Sequence, residues 1–309
     1  MQKNDYFEIL FHILAENNLI PQNDDLLLWR TDFQRYFEKA GFDEKIIYEI
    51  KSEFGLSMEN VFLINSKKSF LLNRYYKSKG GLESIQASVC FTVLGCLLDH
   101  LIDMGDSYQK EIAMQKVNWK YCSEYFYRGI CQKENSVIDK LFETVGRSVF
   151  SYRDIFPKAY NSVTELLEKT AESELFVMSD VCEGFNPENV SNKSVLFSVI
   201  STQICVPDCI EESKDVAYSI GKAFAMIDDM CDFYEDMELH QKNMFQILLS
   251  EGNMNEYQAV EYMTGQIAEN LNLIKRKTDE VIYNFFLSET REWIMSRSEL
   301  RERVWKTYG

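Results

Sequence analysis

Apolar side chains recur along most of this chain at spacings of three and four, the repeat of a helix with one buried face. That pattern predicts amphipathic helices over Asp5–Asn17, Asp24–Lys39, Glu44–Phe54, Glu111–Ile130, Asn135–Phe150, Tyr152–Cys182, Ser213–Met237 and Glu256–Leu287. Gly184–Asn192, with Gly184, Pro187 and three asparagines, reads as a break. Two helical stretches carry almost no charge. Ser84 to Leu98 has none and is followed by Asp99, Asp103 and Asp106; Val216 to Ile227 has only Lys222 and is followed by Asp228, Asp229, Asp232, Glu235 and Asp236. A helix that is apolar all round is buried all round. Both stretches therefore predict buried helices that end in carboxylates.

Composition sharpens the fold class. Thirteen glycines and four prolines are too few for a protein rich in hairpins, so the expectation is all-α. No repeat, low-complexity tract or linker appears, which predicts one domain over residues 1–309. With 46% hydrophobic and 27% charged residues, the chain can bury a large core. A net charge of −16 argues against binding a nucleic-acid backbone. The N-terminus lacks the features of a signal peptide, and no apolar stretch reaches the roughly 18 residues of a bilayer span, so a cytoplasmic protein without a transmembrane segment is expected. The eight cysteines form no C-x-x-C pair and read as small, reduced core residues. Three dispersed histidines do not suit a zinc or non-haem iron centre.

Carboxylates are thus the ligand type on offer. Asp99 and Asp103 share a helix face, and Asp228, Asp232 and Asp236 form a stripe with Asp229 beside it. Like charges at this spacing repel, and a cation is expected to offset them. Mg²⁺ takes oxygen ligands and keeps several for water and phosphate. Two opposed acidic faces could hold several Mg²⁺ ions with a diphosphate between them.

The stretch Tyr218-Ser-Ile-Gly221-Lys222-Ala-Phe224-Ala-Met-Ile-Asp228-Asp229-Met-Cys-Asp232 resembles the second aspartate-rich segment of trans-isoprenyl diphosphate synthases. Lys193-Ser194-Val-Leu-Phe197 and Lys242-Asn-Met-Phe245 are similar to the lysine-containing segments before and after it. Asp99-His100-Leu-Ile-Asp103 stands where the first D-D-x-x-D falls, with His100 in place of its second Asp. The resemblance covers roughly Ser66 to Phe245. It implies the class I isoprenoid synthase helical bundle around a central cavity, in a homodimer. It also implies Asp99, Asp103, Asp228, Asp229 and Asp232 as catalytic Mg²⁺ ligands, for three ions in all, and Lys193, Lys222 and Lys242 as diphosphate partners.

The chain departs from that family where elongating members bind isopentenyl diphosphate. Their Gly-Gly-Lys-Arg segment reads Gly80-Gly81-Leu82-Glu83 here, and no arginine pair follows Asp103. An anion held in low dielectric needs such partners. Retaining the ionising site without the co-substrate site describes a terpene synthase. Arg74, Lys77 and Lys79 could substitute, which keeps elongation, or prenyl transfer to another acceptor, as the alternative. A non-catalytic helical subunit of a prenyl synthase is the third reading.

A terpene synthase needs a dry pocket wall, and aromatic faces stabilise cations. Phe91, Leu94, Gly95, Phe197 and Phe224 are the expected lining. Small Gly95 and Cys96, one turn before Asp99, favour a deep cavity and a C20 or longer substrate within a C15–C25 range. The C-terminus carries Arg297, Arg301, Arg303 and Lys306 beside Tyr308. In terpene synthases a C-terminal basic and tyrosine pair closes over the diphosphate, a role that would fall to Arg303 with Tyr308. The N-D-x-x-S-x-x-x-E motif of microbial cyclases is absent.

Overall fold

The computed structural model describes the backbone of residues 3–20, 30–42, 44–117, 119–129, 136–178, 187–239 and 243–308, with side chains over the same stretches except 30–33, 119–122, 170–178, 187–193, 239 and 304–308. Every regular element among the described residues is a helix: α1 (Lys3–Glu16), α2 (Arg30–Lys39), α3 (Glu44–Phe54), α4 (Glu59–Tyr75), α5 (Gly81–Met104), α6 (Ser107–Lys116), α7 (Trp119–Arg128), α8 (Val137–Ile155), α9 (Pro157–Met178), α10 (Pro187–Cys205), α11 (Ile210–Cys231), α12 (Phe233–Leu239), α13 (Met244–Ser250), α14 (Glu256–Lys277), α15 (Glu280–Ser296) and α16 (Ser298–Tyr308). The protein is all-α, as its scarcity of turn residues predicts. The chain forms two compact units. The first comprises Met1–Trp29, Val177–Ser198 and Asp215–Gly309, the second Arg30–Phe176 and Val199–Lys214.

The second unit is built around α5, on which α4, α6 and α8 pack. Burial from several sides explains why Ser84 to Leu98 carries no charge. By length and composition α5 could cross a membrane, so the expectation that no stretch is long enough does not hold; two-thirds of its apolar window is buried within the fold. Polar side chains recur along one face at every fourth position. Ser84 Oγ lies 2.6 Å from Tyr152 Oη, which donates to the Ile204 carbonyl at 2.8 Å. Ser88 donates to the Ser201 carbonyl at 2.9 Å, and Thr92 to that of Ser88 at 3.0 Å. Each buried hydroxyl thereby recovers a partner it would otherwise lose with water.

The helix expected over Glu111–Ile130 is two helices, α6 and α7. α6 opens on a capping box in which Asp106 accepts from Gln109 N while Gln109 accepts from Asp106 N. At its other end Lys116, almost fully buried, donates to Asp139 on α8 at 2.7 Å.

In the first unit α14 packs against α1, α13 and α15, and α16 lies on α15 and α1. Tyr6 of α1 donates to the Met230 carbonyl at 2.6 Å, and its ring meets those of Phe233 and Phe245. The predicted Glu256–Leu287 helix breaks at Thr278, because Asp279 caps α15 by accepting from Ile282 N at 2.9 Å. The break read over Gly184–Asn192 is already helical from Pro187, the first residue of α10, where proline's missing N–H costs nothing. Among the described cysteines, Cys90, Cys205 and Cys231 are buried and Cys209 is half-buried, but Cys96 is exposed and is not a core residue.

Candidate functional site

The last turns of α11 carry the acidic stripe, and the sequence places them there through close packing. At Gly221 a Cβ would stand 2.6 Å from Val195 Cα and 2.9 Å from the Ser194 carbonyl oxygen, so only glycine lets α11 approach α10 this closely. Ser198 adds a hydrogen bond of 2.8 Å to the Ala217 carbonyl. The helix then ends at Cys231 and α12 starts at Phe233, so the single helix predicted over Ser213–Met237 is interrupted at Asp232.

The carboxylates of this stripe have different partners. Asp229 accepts from Met244 N at 2.8 Å, and Asn243 donates both to the Asp229 carbonyl at 2.7 Å and to Asp236 Oδ2 at 2.6 Å. Asp232 is ion-paired with Arg297, whose Nη1 also donates to Glu235 at 2.9 Å. Asp228 is half-buried at the same helix end. Burial pushes the Asp229 carboxyl up to about 7, with Asp236 and Asp232 adding repulsion against the Met244 hydrogen bond. Burial likewise raises Asp232 to about 6, while Arg297 pulls the other way. Asp236 is raised by burial against the donation from Asn243. Burial works against the charge on Arg297, yet Asp232 and Glu235 hold it above its ordinary value.

The first acidic cluster belongs to the second unit. At the end of α5, Asp99 is half-buried while His100 and Asp103 are exposed, and the Asp103 carbonyl accepts from Lys110 Nζ at 3.1 Å. Gly95 and Cys96 lie on the same open side, whereas Phe91 and Leu94 are buried. In the first unit Phe224 is half-buried and its ring meets Trp293 at 5.5 Å and Phe286 at 6.4 Å. Phe197 is also half-buried. Among the described residues no group of three or more His, Cys, Asp or Glu stands ready to hold a metal.

Of the expected diphosphate partners, Lys222 is half-buried with its ammonium 5.9 Å from the Tyr218 ring. Arg303 donates to the Glu299 and Asn4 carbonyls, at 3.0 and 2.8 Å, so it ties α16 to α1. The side chains of Lys193 and Tyr308, and all of Lys242, lie outside the described residues. Among the described residues, a basic side chain that meets the acidic stripe is Arg297, six residues before the one singled out by the sequence pattern. Its position after the last turn of α15 was the available signal, but helix periodicity does not say which of several basic residues turns inward.

No protein-family model matches the chain, and no curated protein matches it.

Proposed function

We propose that the protein is a Mg²⁺-dependent class I terpene synthase with the isoprenoid synthase bundle, acting on one linear prenyl diphosphate of C15–C25, with C20 or longer favoured. The observation that carries this reading is the end of α11. Asp228, Asp229, Asp232 and Asp236 stand within about three turns, partly buried, with Arg297 ion-paired to Asp232. Carboxylates this close repel one another in partial burial, and a divalent cation would offset that repulsion. All-oxygen donors fit Mg²⁺, with Asp228 and Asp232 as ligands here and Asp99 and Asp103 as ligands on α5. Mg²⁺, when bound, supplies the charge that lets diphosphate leave.

The chain's own residues do the rest. Asp229, through Met244 N, orients the segment that follows Lys242. Phe224, backed by Trp293 and Phe286, offers an aromatic face to a carbocation. Elongation with isopentenyl diphosphate remains the second reading, since Arg74, Lys77 and Lys79 stand exposed at the turn from α4 to α5.

The test is incubation of the purified protein with Mg²⁺ and farnesyl, geranylgeranyl or geranylfarnesyl diphosphate, with and without isopentenyl diphosphate. Gas chromatography follows, before and after phosphatase. The expected outcome is a hydrocarbon or alcohol without either addition, abolished by Asp228→Ala with Asp232→Ala. Longer prenols that need both additions would show an elongating synthase. No turnover of any substrate, with tight binding of a second protein, would show a non-catalytic subunit.

A further inference from the structure

The proposed metal site already holds a cation of its own. Arg297 grips two carboxylates, one with each terminal nitrogen, rather than clasping one as a fork. Its side chain is 21% exposed, and its Nε–H is buried without an acceptor among the described residues. This grip satisfies the guanidinium incompletely and engages Oδ1, one of the two carboxylate oxygens of Asp232.

Arg297 is also the joint between two helices. It is the extended residue that ends α15, donating its N–H to Ile294, and its carbonyl accepts the Arg301 N–H of α16. α16 is tethered independently to α1 by Lys3–Glu299 at 2.8 Å and by Arg303 to Asn4. The side-chain pairs to Asp232 and Glu235 add to these backbone bonds in holding the joint, and α16 keeps its own tethers to α1.

We propose that Arg297 is a latch on the acidic stripe: it neutralises Asp232 and Glu235 in the metal-free protein, and a divalent cation binds by displacing it from Asp232. Two cations beside one carboxylate repel each other and share its charge, so guanidinium and metal compete for Asp232. The proposal rests on the Mg²⁺ reading above.

Calorimetric titration of Mg²⁺ alone into chelator-treated full-length protein, at about pH 8 so that the raised carboxyls are ionised, tests it. Arg297→Gln should bind Mg²⁺ about five- to tenfold more tightly than wild type, and Arg297→Lys should return close to it. Equal or weaker binding by a folded Arg297→Gln overturns the latch and leaves the metal reading standing. Should that variant not fold, hydrogen exchange of the wild type decides: faster exchange of amides 297–301 on adding Mg²⁺ supports displacement, and unchanged exchange with bound Mg²⁺ overturns it. If neither wild type nor variant takes up Mg²⁺, with or without inorganic pyrophosphate, the metal reading fails and the latch with it.

Discussion

Asp139 is fully buried and accepts from Lys116 at 2.7 Å, Tyr125 at 3.2 Å and Ser136 at 2.7 Å, so one carboxylate pins α6 and α7 to the start of α8. Removing one partner of a buried pair leaves an uncompensated charge. Asp139→Ala should lower stability by about 3–5 kcal/mol, while Lys116→Met with Asp139→Leu should cost far less, as measured by urea unfolding. Neither residue stands out in the sequence, because a lysine and an aspartate 23 positions apart carry no periodic signal. The same limit applies to the acidic ends. Asp106 follows Asp99 and Asp103 as one more carboxylate, yet its task is to cap α6. Asp229 follows Asp228, yet its side chain holds the start of α13. Residue type is legible in the chain; the partner a side chain meets is not.

At the scale of elements, the buried helix α5 and the mostly buried Val216–Ile227 course of α11, where Tyr218 is nonetheless exposed, are legible because loss of charge over several turns is a local pattern. Their neighbours are harder to delimit. Glu256–Leu287 keeps its apolar period across Thr278, so the cap at Asp279 alone ends the run. Gly221→Ala tests the close contact of α10 and α11. A Cβ facing backbone has little room to relax, and about 1–3 kcal/mol of stability should be lost in chemical denaturation. The contact of α1 with α16 makes a pH prediction. Lys3 holds Glu299 down to about 2, so the stabilisation is present above the ordinary carboxylate value and is lost as pH falls through about 2. Both side chains are partly exposed, at 50% and 29%, which screens the pair. Glu299→Gln should cost about 0.5 kcal/mol near neutral pH. Its difference from wild type should shrink in unfolding curves taken from about pH 5 downward.

For the whole molecule, a charge of −16 means that the folded chain repels itself. Added NaCl should raise the melting temperature by screening. Mg²⁺ at matched ionic strength should raise it further if it binds the folded state, and Asp228→Ala with Asp232→Ala should remove only that excess. Differential scanning fluorimetry reads both effects. The chain by itself determined the all-helical class, the buried courses of α5 and α11 and the acidic residues that end them, because each follows from the order of neighbouring side chains. Tertiary structure alone decided that Arg297 and not Arg303 meets Asp232, that Lys116 meets Asp139, and that Tyr6 reaches Met230. Those pairings join residues far apart in sequence, and burial raises their electrostatic and hydrogen-bonding strength only once the helices have packed.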